Sequence, residues 1–287
     1  MKANEKILNI QEMGTEDIRK RISEGCDTIL IPVGSCEKHG NPYTPLGMDA
    51  LVTDAVVDLA AQKTGVLHTP LMPFGYAPEH FGQVDEGCGA VTLRAETYRR
   101  VLEDISHCLI YHGFNKLILV SLHSPNIPVA EEVLHSVRIK TGAFVAFYGA
   151  RENEKVREIL GSSPDRLSSD TETALAIALL GKRFNTERYL SLGYKIHAPN
   201  WLGPAFSKRA GTGMAVRFQG SENISLGMDD SEYVSPISHD DPPPLRVTPE
   251  QGSMLIEALS NHLSAFVEEV KTLKVEVKSR DYPERVR

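Results

Sequence analysis

The chain has 287 residues, 41% of them hydrophobic and 24% charged, which is apolar content enough for a full core in one large α/β domain or a domain with a long insertion. Its 31 Lys and Arg against 38 Asp and Glu give a net charge of −7 with no basic stripe, which argues against a nucleic-acid partner. No apolar run approaches the roughly 20 residues that span a bilayer, and the N-terminus MKANEKILNIQEMG has no signal-peptide core, so we expect a cytoplasmic protein with no membrane partner.

In chain order, short apolar runs alternate with amphipathic stretches, the pattern of a mostly parallel sheet with helices on its faces. Strands are expected at 28–33, 66–71, 117–122 and 143–148, with helices at 49–63, 95–112 and 127–140, each helix followed closely by a glycine. Further helices are expected at 170–182 and 249–272; in the last, Thr248 can cap, Pro249 suits the first helical position and Gln251 stands three after the cap. Between them, 199–247 is rich in Gly, Pro and Ser and lacks periodicity, which suggests an active-site cover or a subunit contact. The expected organisation is a single domain over 1–273 and a tail over 274–287 that is frayed or packed on a neighbour. Cys26, Cys36, Cys88 and Cys108 have no zinc-ribbon spacing and read as free thiols.

The apolar run TILIPVG at 28–34 leads directly into SCEKHG. In open α/β sheets ligands bind beyond the carboxyl ends of the strands, and the i, i+2 spacing of Glu37 and His39 puts both on one side of an extended segment. Asp49 opens the next helical run, where the helix dipole favours an ionised carboxylate and where a plain cap would also stand. His123 closes the apolar run KLILVSLH, at the same sheet edge if the strands are parallel. Two imidazoles with two carboxylates suit Zn²⁺, Mn²⁺ or Fe²⁺ better than Mg²⁺ or Ca²⁺, and point to a metal hydrolase.

PVGSCEKHGNPYTPLGMD resembles the signature P-x-G-S-x-E-Q-H-G followed by x-H-L-P-L-x-T-D of the creatininase family of metal-dependent amidohydrolases. FGYAPEH, GAVTL, HGFNKLILVSLHSPN, DTETALAIAL and VTPEQGSMLIEAL are similar to further motifs of that family, in its order, from about residue 28 to 262. The resemblance implies a three-layer α/β/α fold and two divalent metals per subunit, one held by Glu37, Asp49 and His123, the other by His39 with Asp49 bridging. It also implies hydrolysis of a C–N bond in a small polar substrate, a cyclic amide or a formamide, by a homo-oligomer, commonly a hexamer.

The chain departs from the pattern in four places. Glu37 to Asp49 is one residue longer than usual, and NPYTPLGM lacks the histidine at the centre of the family's segment. Pro125 stands where creatininase supplies a carboxylate to its second metal, which makes Glu172 the candidate replacement ligand. Leu167 falls on the family's catalytic histidine, so creatinine is a poor expectation as substrate, and Asp170 or Glu172 becomes the candidate acid/base. Ser169-x-x-Glu172 equally fits a helix capping box. His80, Ser124, Asn126 and Trp201 are the candidate substrate contacts. Two rival readings remain: hydrolysis of a cyclic ketone or lactone, as in sugar or inositol breakdown, and a non-catalytic member that binds a ligand.

Overall fold

Thr28–Pro32 forms β1, buried at all five positions, as a central parallel strand covered on both faces must be. In the computed structural model, which describes residues 6–149, 154–163, 166–209, 213–220 and 222–282, β1 pairs in parallel with β2 (Leu67–His68) and β3 (Lys116–Val120). β3 pairs in parallel with β4 (Phe144–Tyr148), giving the order β2-β1-β3-β4. Helices α2 (Met48–Thr64), α3 (Ala95–His112) and α4 (Ile127–Thr141) make the crossovers.

Alternate residues of each strand serve opposite faces. Ile29, Ile31, Leu117 and Leu119 bury against Tyr98, Leu102 and Val133 of α3 and α4. Leu30, Ile118 and Val120 bury against α2 and against α6 (Leu167–Leu180) and α8 (Pro249–Thr272). The fold is therefore the expected three-layer α/β/α sandwich with a parallel central sheet.

The helices at 95–112 and 249–272 have the expected bounds, and Thr248 and Gln251 form the expected capping box. Three expectations are corrected. The second strand is two residues long because Pro70 has no N–H for the ladder, although Thr69 N and Met72 N still reach Leu30 O and Pro32 O at 2.9 and 3.0 Å. α6 begins at Leu167 with Arg166 at its cap, so Ser169 lies inside the first turn, its hydroxyl donating to Arg166 O, and forms no capping box with Glu172. The sequence also gave no sign of three short helices, α1 (Thr15–Ser23), α5 (Glu154–Leu160) and α7 (Thr186–Ser191).

The third correction is the stretch read as irregular. β5 (Leu192–Ile196) pairs antiparallel with β9 (Val234–Ser238), while β6 (Phe206–Ser207), β7 (Ala215–Phe218) and β8 (Glu222–Ser225) form a second antiparallel sheet. These strands share a small core of Val216, Met228 and Tyr233. The tail packs on its own chain as far as it is described, Lys278 N donating to Thr141 O at 2.8 Å and Arg280 Nη1 to Ile110 O at 2.6 Å; 283–287 lie outside the described residues.

A candidate metal centre at the strand ends

Beyond β1 the chain runs hard against the first turn of α2: a Cβ on Gly34 would lie 2.4 Å from Ala50 Cβ and 2.6 Å from Ala50 Cα. That approach brings Ser35 and Glu37 to Asp49, whose Oδ2 accepts from Ser35 Oγ at 3.1 Å. His123, beyond the end of β3, completes the group. Its Nδ1 lies 3.2 Å from Asp49 Oδ2 and 2.9 Å from Glu37 Oε2. Ligand atoms of Glu37, Asp49 and His123 all lie within 4.8 Å of one another, and the three side chains are buried.

The three fit a cation on two counts. His123 Nε2 is 3.0 Å from Tyr76 O, the carbonyl contact that turns the other ring nitrogen toward a metal. Two buried carboxylates converge on that nitrogen; burial alone would lower the His123 pKa, but Glu37 and Asp49 outweigh it and raise it to about 10. The pocket demands positive charge.

A second group adjoins the first. His39 Nδ1 lies 4.0 Å from Glu37 Oε1 and 4.0 Å from Glu172 Oε2, while His39 Nε2 is buried without a hydrogen-bond partner. These spacings exceed a hydrogen bond but fall within about twice a ~2.1 Å metal–ligand bond. The two oxygens of Glu37 thus face the two histidines.

A cavity of about 320 Å³ opens on Glu37, His39, His123 and Glu172, and is also lined by His80, Ser124 and Pro125. Asp170, two residues from Glu172 on a helix and so turned away from it, instead lines a neighbouring cavity and accepts from Ser162 Oγ at 2.6 Å. Asn126 is fully buried: its Nδ2 donates to Gly34 O and Ser121 Oγ, and its Oδ1 accepts from Tyr76 N. Trp201 is 59% exposed, its indole N–H donating to Glu232 Oε1, and does not line the cavity. Of the four expected substrate contacts, the structure brings His80 and Ser124 to the cavity.

Residues 11–267 match the family model described as Creatininase: Creatinine amidohydrolase. The chain belongs to the creatininase family. A 3-dehydro-scyllo-inosose hydrolase from Thermotoga maritima is 34% identical over 122 residues, and a creatinine amidohydrolase from Pseudomonas putida 27% identical over 122 residues. Each match covers 42% of this chain and less than half of the relative, 38% and 46% respectively. A structure described as creatininase Mn superposes with TM-score 0.67 at 18% identity, covering 93% of this chain and 100% of that one. A Zn–Zn form of a mutant creatininase gives the same values, which establish the fold.

At the two most consequential departures from the creatininase pattern, Pro125 lines the cavity, whereas Leu167 is buried in the core beside α8 and leaves Ser168 and Glu172 to face the opening. Residues that sequence reasoning missed come mainly from the stretch read as irregular: Lys208, Arg209, Asp230, Tyr233 and Val234, joined by Tyr194. Asp230, 2% exposed, stands 3.5 Å from Lys38 Nζ and 4.0 Å from His80 Nδ1, and Lys38 also pairs with Glu86 at 2.7 Å. Burial alone would lower the His80 pKa, but Asp230, Glu37 and Glu79 raise it. The only sequence signal for these residues was polar side chains in a Gly/Pro-rich stretch, which does not distinguish a cavity wall from an exposed loop.

Proposed function

We propose that the protein is a metal-dependent hydrolase that cleaves a C–N bond of a small cyclic amide or formamide. The observation that carries this reading is the convergence of Glu37, Asp49 and His123, all buried, with Glu37 and His123 lining a cavity large enough for a small ring. In this reading Glu37, Asp49 and His123 hold one divalent cation; His39 and Glu172 hold a second, with Asp49 shared between them. Zn²⁺, Mn²⁺ and Fe²⁺ all suit the donor set. Bound there, such cations lower the pKa of water and polarise a carbonyl.

The chain's own residues supply the rest. Glu172, partly exposed at the cavity wall and adjacent to His39, is the carboxylate placed to take a proton from water and return it to the leaving nitrogen. Ser35 and Tyr76 O orient Asp49 and His123. Asp170 is not kept in this role, since it faces a different cavity.

A second reading keeps the site and changes the bond, to a C–C or C–O bond of a cyclic ketone or lactone. It is favoured by the 34% identity to the inosose hydrolase and by an apolar Leu167 where the family's histidine would stand. A panel of lactams, formamides, lactones and cyclic diketones, assayed before and after chelation, separates the two. Chelator-sensitive turnover of nitrogen substrates supports the first reading, turnover of the oxygen-containing set alone supports the second, and metal-independent turnover contradicts both.

For the setting we propose a cytoplasmic homo-oligomer, a hexamer by resemblance. Among the described residues no helix is long and apolar enough to cross a membrane, and all four cysteines are free. Both observations are compatible with that proposal.

A further inference from the structure

Glu37 and His39 lie beyond Pro32, the last residue of β1, so separate contacts and not the ladder of the central sheet fix the segment that carries them. Val91 N donates to Cys36 O at 2.8 Å, Glu37 N to Leu46 O at 2.9 Å and Lys38 N to His80 O at 2.9 Å. The side chain between the two proposed ligands adds a charged contact. Lys38 Nζ stands 2.7 Å from Glu86 Oε1 and 3.5 Å from Asp230 Oδ1. Hydrogen bonds between ionised groups are about twice as strong as neutral ones.

The two carboxylates come from distant parts of the chain. Asp230, 2% exposed, opens the turn Asp230–Glu232 that leads into β9, and Glu86 lies in the loop between β2 and α3. Those segments are tied to each other: Gln83 Nε2 donates to Asp229 Oδ1 at 3.0 Å and to Ser231 Oγ at 2.9 Å, while Gln83 N donates to Glu86 Oε2 at 2.8 Å. The ammonium therefore docks on a preassembled anchor. By charge alone a lysine beside a cation site opposes the cation, so its net effect on metal binding separates geometry from electrostatics.

We propose that Lys38 is a positioning residue: clamped between Glu86 and Asp230, it sets the presentation of Glu37 and His39, so that metal affinity depends on a contact made by no metal ligand. The inference rests on the metal reading of the site and adds that the segment entering β9 supports the ligands from outside.

Zinc affinity, measured by competition with a chromogenic chelator, tests it beside urea unfolding of the metal-free protein. Lys38→Met should weaken zinc binding by about 10–100-fold although it removes a positive charge. Lys38→Arg, whose guanidinium can pair with both carboxylates, should stay within about threefold of wild type. Asp230→Asn, which keeps the shape of the side chain, should lose affinity in the same direction, and it decides the matter if Lys38→Met does not fold. The double variant should lose no more than Lys38→Met alone, as members of one contact do. Affinity in Lys38→Met equal to or tighter than wild type would overturn the proposal, even with a lowered urea midpoint, since Lys38 would then serve the fold alone; so would additive losses in the double variant. A wild type that binds no zinc would refute the metal reading itself, and the proposal with it.

Discussion

The side-chain amide of Asn126 makes three hydrogen bonds inside the fold, tying Gly34 beyond β1, Ser121 beyond β3 and Tyr76 in the loop after β2. An amide at that junction sets the spacing of the segments that carry Glu37 and His123, and this is its contribution to the site. Asn126→Ala should therefore lower stability by about 2–4 kcal/mol in urea unfolding, since it leaves buried partners unsatisfied. Ser35 acts on a single proposed ligand, through its 3.1 Å bond to Asp49 Oδ2. Ser35→Ala should weaken metal affinity by about 10–100-fold in a competition titration with a chromogenic chelator, with a smaller effect on folding. An unchanged affinity would mean that Asp49 is oriented by other groups.

At the scale of elements, α6 carries Glu172 and is seated on α8 through Gly252, where a Cβ would come within 2.0 Å of Ala174 O. Gly252→Ala must push the two helices apart, which should cost about 1–3 kcal/mol in urea unfolding and displace Glu172. The expected second effect is loss of about one metal equivalent per chain. Thr248→Ala, which removes the α8 cap at a cost of ~1 kcal/mol, is the control that should leave metal content intact. The same elements explain what could be read in the sequence. α3 and α8 repeat their apolar positions at helical period over 18 and 24 residues, and β1 and β3 are apolar after Thr28 and Lys116, so their ends could be located, and with them Glu37, Asp49 and His123. α1 is nine residues long and buries none of them fully, its apolar side being only Ile18 and Ile22, so a periodicity test passes over it. β5 to β9 are two to five residues long and mostly only partly buried, so the alternation that marks a strand was too brief to detect. Lys208, Asp230 and Tyr233 were hidden with them. Asp170 was misplaced for a different reason: two positions apart on a helix, it and Glu172 diverge, and the sequence did not fix which of them faced the opening.

Across the whole molecule, the parallel sheet fixes the proposed ligands at its carboxyl edge, while the two small antiparallel sheets supply much of the remaining cavity wall. Metal should therefore couple to global stability: saturating Zn²⁺ or Mn²⁺ at about 100 times the dissociation constant stabilises the fold by about 2.7 kcal/mol per site. Thermal unfolding with and without a chelator should show the shift, and identical curves would mean that the cluster holds no cation. The most direct measurement is elemental mass spectrometry on protein purified without chelator or added metal, beside Asp49→Ala and Glu172→Ala. The account predicts about two equivalents per chain in wild type, loss from both sites in Asp49→Ala and loss of one in Glu172→Ala. A wild-type chain that binds no metal even after reconstitution would contradict it.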